Sequence, residues 1–547
     1  MSPPTTVQTS SRSVSLEIDP AYDSYVWREI TPGVWQRDAD EVEVFYSSLA
    51  KRYAGSGRMH FAITGHVSVT VRVPLADASR TIDTVEARFD DALRSAWLSL
   101  RHRSPTIASQ VHFDTREQKW KKKYRTVADQ DSRNAWLHRT LRFISNGQTG
   151  AEWANSDPPA PELATLFVIV CPSSSAGAVR RDLVLRSPHD IIDGIGTLQL
   201  LNSFIHIAAD RFDRHANPSY EHVPLLDGSE TQNLSPPYRV AAAVPPSPSP
   251  EQQARLTAPE ELSTALPRPQ SIETIGIPYR QGPLLPGKHQ RVARTFTAER
   301  TAKLLATLKA VGATPTHAFH AAIAMTVRAL HADKSQAPPP SAADEKQVQY
   351  VNYILRNERQ NCKPPFNSPG LHPATVYHSV SGTKLTITMP ATPPSSTTVQ
   401  DAAFARILTD MREFYHSVRD DRDHSALAPY IWAAATPRLP FPESEVEEWN
   451  IAVPPPNPKP SVSISSMGNL DNIVAQQLGD HMEVHTPWVT GEELGTGLGL
   501  FLGTFRGRME LSAAFNEAWH TADEVNGFLD RCAEIVFGCV DRQDLNH

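Results

Sequence analysis

Six residues, His189-Asp190-Ile191-Ile192-Asp193-Gly194, combine residue types and spacing that can do chemistry. Histidine is the side chain whose ordinary pKa lies nearest working pH, so it can take a proton and return it. The H-x-x-x-D spacing occurs three times, as His189/Asp193, His206/Asp210 and His416/Asp420. The second pair lies in Leu200–Asp210 and the third in Met411–Asp420, both of which read as continuous helix. There the i and i+4 positions simply share one solvated helix face. Only the first pair is followed by glycine, with a strand-like run Asp182–Leu185 before it and a helix-like run from about Thr197 after it. A strand that ends in Ser187-Pro188, presents a histidine and turns on a glycine places that imidazole at a sheet edge facing a cavity. The competing reading of His189 is a structural histidine that caps a loop.

Several elements must position that loop. Phe61–Val73 alternates as a strand and Thr81–Arg101 has helical periodicity through Val85, Phe89, Leu93 and Trp97. Leu166–Cys171 and Asp182–Leu185 read as buried strands leading into the motif. The second half repeats the plan. Arg291–Phe296 is strand-like, a helix runs from about Ala298 to Val311, and Thr314-Pro315 supplies an N-cap and a first-turn proline for an Ala-rich helix over 316–330. Val348–Leu355, Val376–Ser379, Thr383–Met389 and Val462–Ser465 are expected to form a second sheet. The alternating strand through Met509, Leu511, Ala513 and Phe515 precedes a last helix that opens on the capping-box spacing Thr521-x-x-Glu524.

Between the halves the composition changes. Ser235-Pro236-Pro237, Pro245–Pro250 and Pro267-Arg268-Pro269 cannot sit inside helices or central strands, and they predict a surface crossover. Ala337–Ala342 is a second proline-rich insertion, and Pro454–Pro460 fixes where a following strand starts. The expected organisation is an N-terminal extension (1–56), an N-terminal lobe bearing the motif (57–226), a proline-rich linker (227–290) and a C-terminal lobe (291–547). A functional cleft is expected between the lobes.

Composition excludes several classes of function. The 547 residues are 40% hydrophobic and 21% charged, ordinary for a globular protein, and the net charge of −7 argues against nucleic-acid binding. The dense basic run Lys119–Arg125 reads as a solvated face. Four scattered cysteines make neither a disulfide framework nor a C-x-x-C pair. Met1–Leu16 lacks a hydrophobic signal core, and no run approaches a membrane span, so a cytoplasmic location with no membrane partner is expected. His481 and His485 have a helical zinc spacing but no third ligand nearby, and no metal is expected. Gly491–Gly499 is glycine-rich without a phosphate-loop context, His317 and His320 read as core or surface residues, and no G-x-S-x-G elbow is present.

Ser187–Gly194 and the helix after it, Arg294-Thr295-Phe296 with two following helices, Val462–Leu470, and the closing strand and helix over 505–536 together resemble the CoA-dependent acyltransferase superfamily. That superfamily includes chloramphenicol acetyltransferase, plant BAHD acyltransferases and peptide-synthetase condensation domains. The nearest resemblance is to fungal O-acetyltransferases of the trichothecene 15-O-acetyltransferase type, and it spans about residues 57–540. Two departures stand out. Pro188 replaces the first of the two adjacent histidines of condensation domains, and Ser465-Ser466-Met467-Gly468 stands where plant enzymes carry D-F-G-W-G.

The resemblance implies an α/β (α+β) fold of two chloramphenicol-acetyltransferase-like lobes, each a mixed sheet flanked by helices, with an active-site tunnel at their interface. It implies O-acyl transfer from acyl-CoA, acetyl-CoA above all, to a hydroxyl of a secondary metabolite such as a mycotoxin precursor. His189 would act as general base in a ternary complex. Asp193 would orient the loop by pairing with Arg359 or else Arg356, Gly194 would relieve crowding where the loop enters the helix, and Ser465 or Ser466 would donate to the oxyanion. No bound cofactor is implied, the partners are an alcohol acceptor and the acyl-CoA co-substrate, and a monomer is expected. Two other readings stay open: the same fold binding a metabolite or catalysing a cyclisation, and acyl transfer from a carrier protein.

Overall fold

The His189 loop leaves the third-from-last strand of a six-stranded sheet. The computed structural model describes residues 20–72, 82–127, 129–171, 178–214, 226–257, 272–335, 346–394, 396–444, 447 and 449–542. The sheet order is Gln477–Leu478, Met482–Gly491, Ile63–Arg72, Ala178–Ser187, Thr165–Val170 and Leu141–Ile144, antiparallel except for the last pair. Val67, Val69, Leu183 and Leu185 from its strands and Phe89, Trp97, Leu198 and Phe204 from the helices Ile82–Arg103 and Gly194–Arg214 form one buried core.

A second core lies in the C-terminal half. There His289–Thr295, Arg508–Asn516, Leu498–Phe505 and Val462–Asn469 form a four-stranded sheet. Leu385–Pro390, Gln347–Asn352 and Glu273–Ile275 form a three-stranded one. The helices Ala298–Ala310, Pro315–Ser335, Thr397–Asp420 and Ala522–Arg542 pack with them around Phe319, Leu500, Leu511 and Phe528.

The two halves are not separate in the chain. Met482–Gly491 lies deep in the C-terminal half of the sequence, yet it pairs along Ile63–Arg72 from Val71↔Met482 to Ile63↔Gly491. The glycine-rich run after it carries the chain from one sheet to the other, and at Gly497 a Cβ would lie 2.5 Å from the Ser461 carbonyl oxygen.

Several expectations need correction. The four strands assigned to one second sheet divide among three, because Leu355–Asn357 pairs only with His378–Val380 while Val462–Asn469 joins the four-stranded sheet. In the N-terminal extension, Arg28–Thr31 and Val34–Asp38 build a four-stranded sheet with Lys119–Arg125 and Gln110–Asp114, and Glu41–Tyr53 is a helix with a full capping box at Asp40. The basic run is therefore not a solvated face. Lys122 is 1% exposed, and its ammonium donates to Glu43 Oε1 and the Asp190 carbonyl, each at 2.7 Å. Within the crossover, Tyr238, Ala241 and Val244 are buried against Cys362, Tyr377 and Ala428, so this stretch packs inward instead of running over the surface. Met1–Leu16, Pro267–Pro269 and Ala337–Ala342 lie outside the described residues. His481 immediately precedes and His485 lies within the strand Met482–Gly491, not on a helix, and positions four apart in extended chain are separated by roughly 13 Å.

Candidate active site

The strand Ala178–Ser187 ends at Pro188, which has no N–H to continue a ladder, and His189–Ile191 turn. Ile191 and Ile192 are fully buried and anchor the turn, while the Ile191 amide donates to the Pro188 carbonyl at 3.3 Å. Apolar anchors on the far side of the histidine hold its backbone where the strand leaves it.

Asp193 then caps the helix Gly194–Arg214. Its Oδ1 accepts the Gly196 amide at 2.8 Å, an N-cap bond, and its carbonyl accepts the Thr197 amide and hydroxyl at 2.8 Å each. The other carboxylate oxygen, Oδ2, accepts from Arg359 Nη1 at 2.7 Å and from the Tyr377 amide at 2.9 Å. Burial on its own would raise this carboxyl's pKa, but Arg359 and the neighbouring His378 hold it well below the usual carboxylate range. Of the two arginines proposed as partners, the structure brings Arg359 to Asp193. Arg356 turns elsewhere, to Glu358 at 3.3 Å and the Val418 carbonyl at 3.1 Å.

Two side chains that the sequence does not point to, Tyr46 and His378, pack against His189, and a third, Trp432, packs behind them. The Tyr46 ring lies flat on the imidazole, with centroids 3.7 Å apart and planes 14° from parallel. The Tyr46 hydroxyl is 2.8 Å from His378 Nε2, and His378 Nδ1 is 3.8 Å from Asp193 Oδ2. A proton on the nitrogen facing that carboxylate leaves Nε2 to accept from the tyrosine hydroxyl. Trp432 closes the group by packing against Tyr46 and His378 and donating from Nε1 to the His378 carbonyl at 3.3 Å. Beneath the loop, Ser47 donates to Asp190 Oδ2 at 2.7 Å, beside the buried Arg37–Glu43–Lys122 ion cluster.

The Nδ1 of His189 is shut off from solvent with no hydrogen-bond partner among the described residues. Burial, with His378 adding to it, pushes its pKa down to about 3. The imidazole is thus neutral at ordinary pH, in the form that can accept a proton.

The crowding assigned to Gly194 falls on Gly196. A Cβ on Gly194 would meet only ordinary contacts, with Met467 Sδ at 3.4 Å and Val489 Cγ1 at 3.6 Å. A Cβ on Gly196 would run into the Pro373 carbonyl oxygen and the Arg359 guanidinium. Gly196→Ala is accordingly expected to destabilise the protein by about 1–3 kcal/mol, and Gly194→Ala to change it by less than about 1 kcal/mol. Urea midpoints of the two variants check this, and equal losses would remove the distinction.

Met467 and Val489 also line a cavity of about 300 Å³ between Met482–Gly491 and the four-stranded sheet. Its wall is largely apolar, with Leu470, Trp488 and Phe501 among the lining residues, and Arg506 and Arg508 lie at its edge. Ser465 is half-buried and Ser466 exposed in Val462–Asn469. Neither serine lines this cavity. Among the described residues no group of acidic, histidine and cysteine side chains is arranged to hold a metal, and no helix is long and apolar enough to cross a membrane.

No protein-family model matches the chain. Over 498 residues, 91% of this chain and 84% of the relative, it is 27% identical to the O-acetyltransferase pigM of Monascus ruber. It is 24% identical over 523 residues to the acetyltransferase pigO of the same fungus, covering 93% and 97% of the two chains. Among solved structures, the TRI3 trichothecene 15-O-acetyltransferase from Fusarium sporotrichioides matches with a TM-score of 0.72 at 16% identity, over 94% of this chain and 98% of that one. The first condensation domain of the calcium-dependent antibiotic synthetase matches with a TM-score of 0.52, also at 16% identity, over 94% and 97%. These structural likenesses describe the fold.

Proposed function

We propose that this chain, which has a condensation-domain-like fold and is similar to fungal acetyltransferases over most of its length, is an acyltransferase that moves an acetyl group from acetyl-CoA to a hydroxyl of a fungal secondary metabolite. The observation that carries this reading is the neutral, ring-clamped His189 on a loop tied down through Asp193 and Arg359. His189 removes the acceptor's hydroxyl proton as the oxygen attacks the thioester carbonyl. When the tetrahedral intermediate collapses, the carbon–sulfur bond breaks and the imidazolium returns the proton to the departing CoA thiolate. No covalent enzyme intermediate is needed, because holding both substrates together supplies the proximity.

Asp193 is a positioning residue in this scheme. Its carboxylate is buried and already accepts from Arg359, the Tyr377 amide and the helix N-terminus, which ties it to the loop and not to substrate. The apolar cavity beside Gly194 takes the donor's pantetheine arm, and Arg506 and Arg508 at its edge favour a phosphate-bearing molecule.

Free thiol released from acetyl-CoA, measured across a panel of fungal-type alcohols, tests the reading. Acceptor-dependent release supports it. A protein that turns over only with an acyl-loaded carrier protein, or that binds an alcohol without turnover, would replace it.

Tyr46 holds the His189 ring by its face, and its hydroxyl sets its own position through His378. Tyr46→Ala is expected to lower kcat by about tenfold or more through loss of ring alignment. Tyr46→Phe keeps the stacked face and is expected to stay within about threefold of wild type. Steady-state kinetics of both variants check this. If phenylalanine is as damaging as alanine, the hydroxyl matters and the stacking does not.

A further inference from the structure

Seven arginines are buried among the described residues, and six of them have evident compensation. Arg37 pairs with Glu43, Arg181 with Asp90, Arg186 with Glu492, Arg239 with Glu41 and Arg359 with Asp193. Arg101 donates to the Arg125 carbonyl and lies over the faces of Tyr124 and Trp136. Arg328 is the exception. It is 3% exposed on the helix Pro315–Ser335, and among the described residues it makes no hydrogen bond or ion pair and its Nε is closed off without a partner. Its charged neighbour is Arg406, of the same sign, and burial together with that neighbour pushes the guanidinium pKa down to about 10. At that value it is still a cation at neutral pH. A buried cation with no counter-charge is a costly arrangement, several kcal/mol in typical proteins.

Arg328 also lines a half-open pocket of about 350 Å³ between the helices Pro315–Ser335, Thr397–Asp420 and Ala522–Arg542, with Pro393 and Pro394 at its wall. Thr397 and Gln400 line the same space, as does Thr326, whose hydroxyl is engaged by Cys532 Sγ at 3.4 Å. Arg531 and Arg542 stand at its exposed side, each also paired with an aspartate, Asp333 and Asp401. One acid, the exposed Glu534, belongs to the lining. Cationic and neutral donor groups thus outnumber the acceptor charge around a space large enough for a small organic anion.

We propose that this cavity is a second ligand site, separate from His189, that binds a phosphate group, either free or as a phosphate monoester. Arg328 supplies a planar fork of donors matched to phosphate oxygens. Gln400 and Thr397 complete the cradle, and Arg531 and Arg542 raise the local anion concentration. Bound phosphate supplies the counter-charge that the fold withholds from Arg328. This inference does not rest on the acetyltransferase reading, because no residue of the cavity belongs to the His189 surroundings.

The test is equilibrium dialysis of the full chain with radiolabelled inorganic phosphate and, separately, adenosine monophosphate, at constant ionic strength. Thermal unfolding midpoints are recorded in parallel. Saturable binding is expected in the wild type, together with a phosphate-dependent rise in the midpoint. Arg328→Met is expected to weaken binding at least about tenfold and to leave the phosphate-free midpoint unchanged or higher, since an uncompensated charge is gone. Arg531→Gln, an exposed change that does not threaten folding, is expected to weaken binding by a few-fold. Tighter binding of the nucleotide than of inorganic phosphate identifies an ester as the ligand, and the reverse identifies the free ion. No saturable binding of either anion to the wild type overturns the proposal. So does undiminished binding by Arg328→Met, or a phosphate-free midpoint that falls in that variant, which would mean that Arg328 already has a counter-charge.

Discussion

Replacing His189 with alanine is expected to lower acceptor-dependent thiol release from acetyl-CoA by roughly two to four powers of ten. The fold should survive, because Ile191, Ile192 and the Asp193 cap hold the loop independently of the imidazole. Equal turnover by both proteins would remove His189 from the mechanism. The same residue predicts a pH profile. Burial and His378 lower its pKa to about 3 in the free enzyme, so the imidazole is deprotonated throughout the range above that value. The kcat/KM profile, which reports the free enzyme, should therefore show no inflection near 6.5, the ordinary histidine value. An acidic limb centred there that disappears in His189→Ala would show that the imidazole sits in a wetter setting.

The second large effect is on stability. Arg359→Met strands the Asp193 carboxylate in a buried site and is expected to cost about 3–5 kcal/mol. The double variant Asp193→Asn/Arg359→Met leaves neither charge behind, so it should lose less than the sum of the two single changes. Because the folded pKa of Asp193 is depressed, its contribution is present above the unfolded value of about 3.9 and is lost as pH falls through the folded value. Urea unfolding across pH measures both effects. Strict additivity in the double variant would mean that the two side chains act independently and that the pair does not hold the loop.

What the sequence made legible follows from distance along the chain. The strand, proline, histidine and helix of the motif are contiguous, so periodicity and turn chemistry locate them. Arg359 and Arg356 are three residues apart around a short strand and a 3-10 turn, and only the folded path decides which one faces Asp193. Tyr46 and His378 were out of reach for another reason. They lie 143 residues before and 189 residues after His189, and aromatic stacking imposes no spacing that a sequence reveals. Lys119–Arg125 misleads because its lysines look like a hydrated stripe, while the counter-charges Asp38 and Glu43 come from a strand and a helix far earlier in the chain. Gly194 and Gly196 differ only in what other segments bring beside them.

The strand exchange in the six-stranded sheet has a consequence for synthesis. A ribosome that has released the first half of the chain has delivered Ile63–Arg72 and Ala178–Ser187 but not Met482–Gly491. Until residue 491 emerges, one side of Ile63–Arg72 is an unpaired edge of a strand that is apolar and buried in the finished molecule. Such an edge recruits other chains. Nascent copies on one messenger are therefore exposed to cross-pairing for most of translation, and chaperone demand should be greatest before the last tenth of the protein appears.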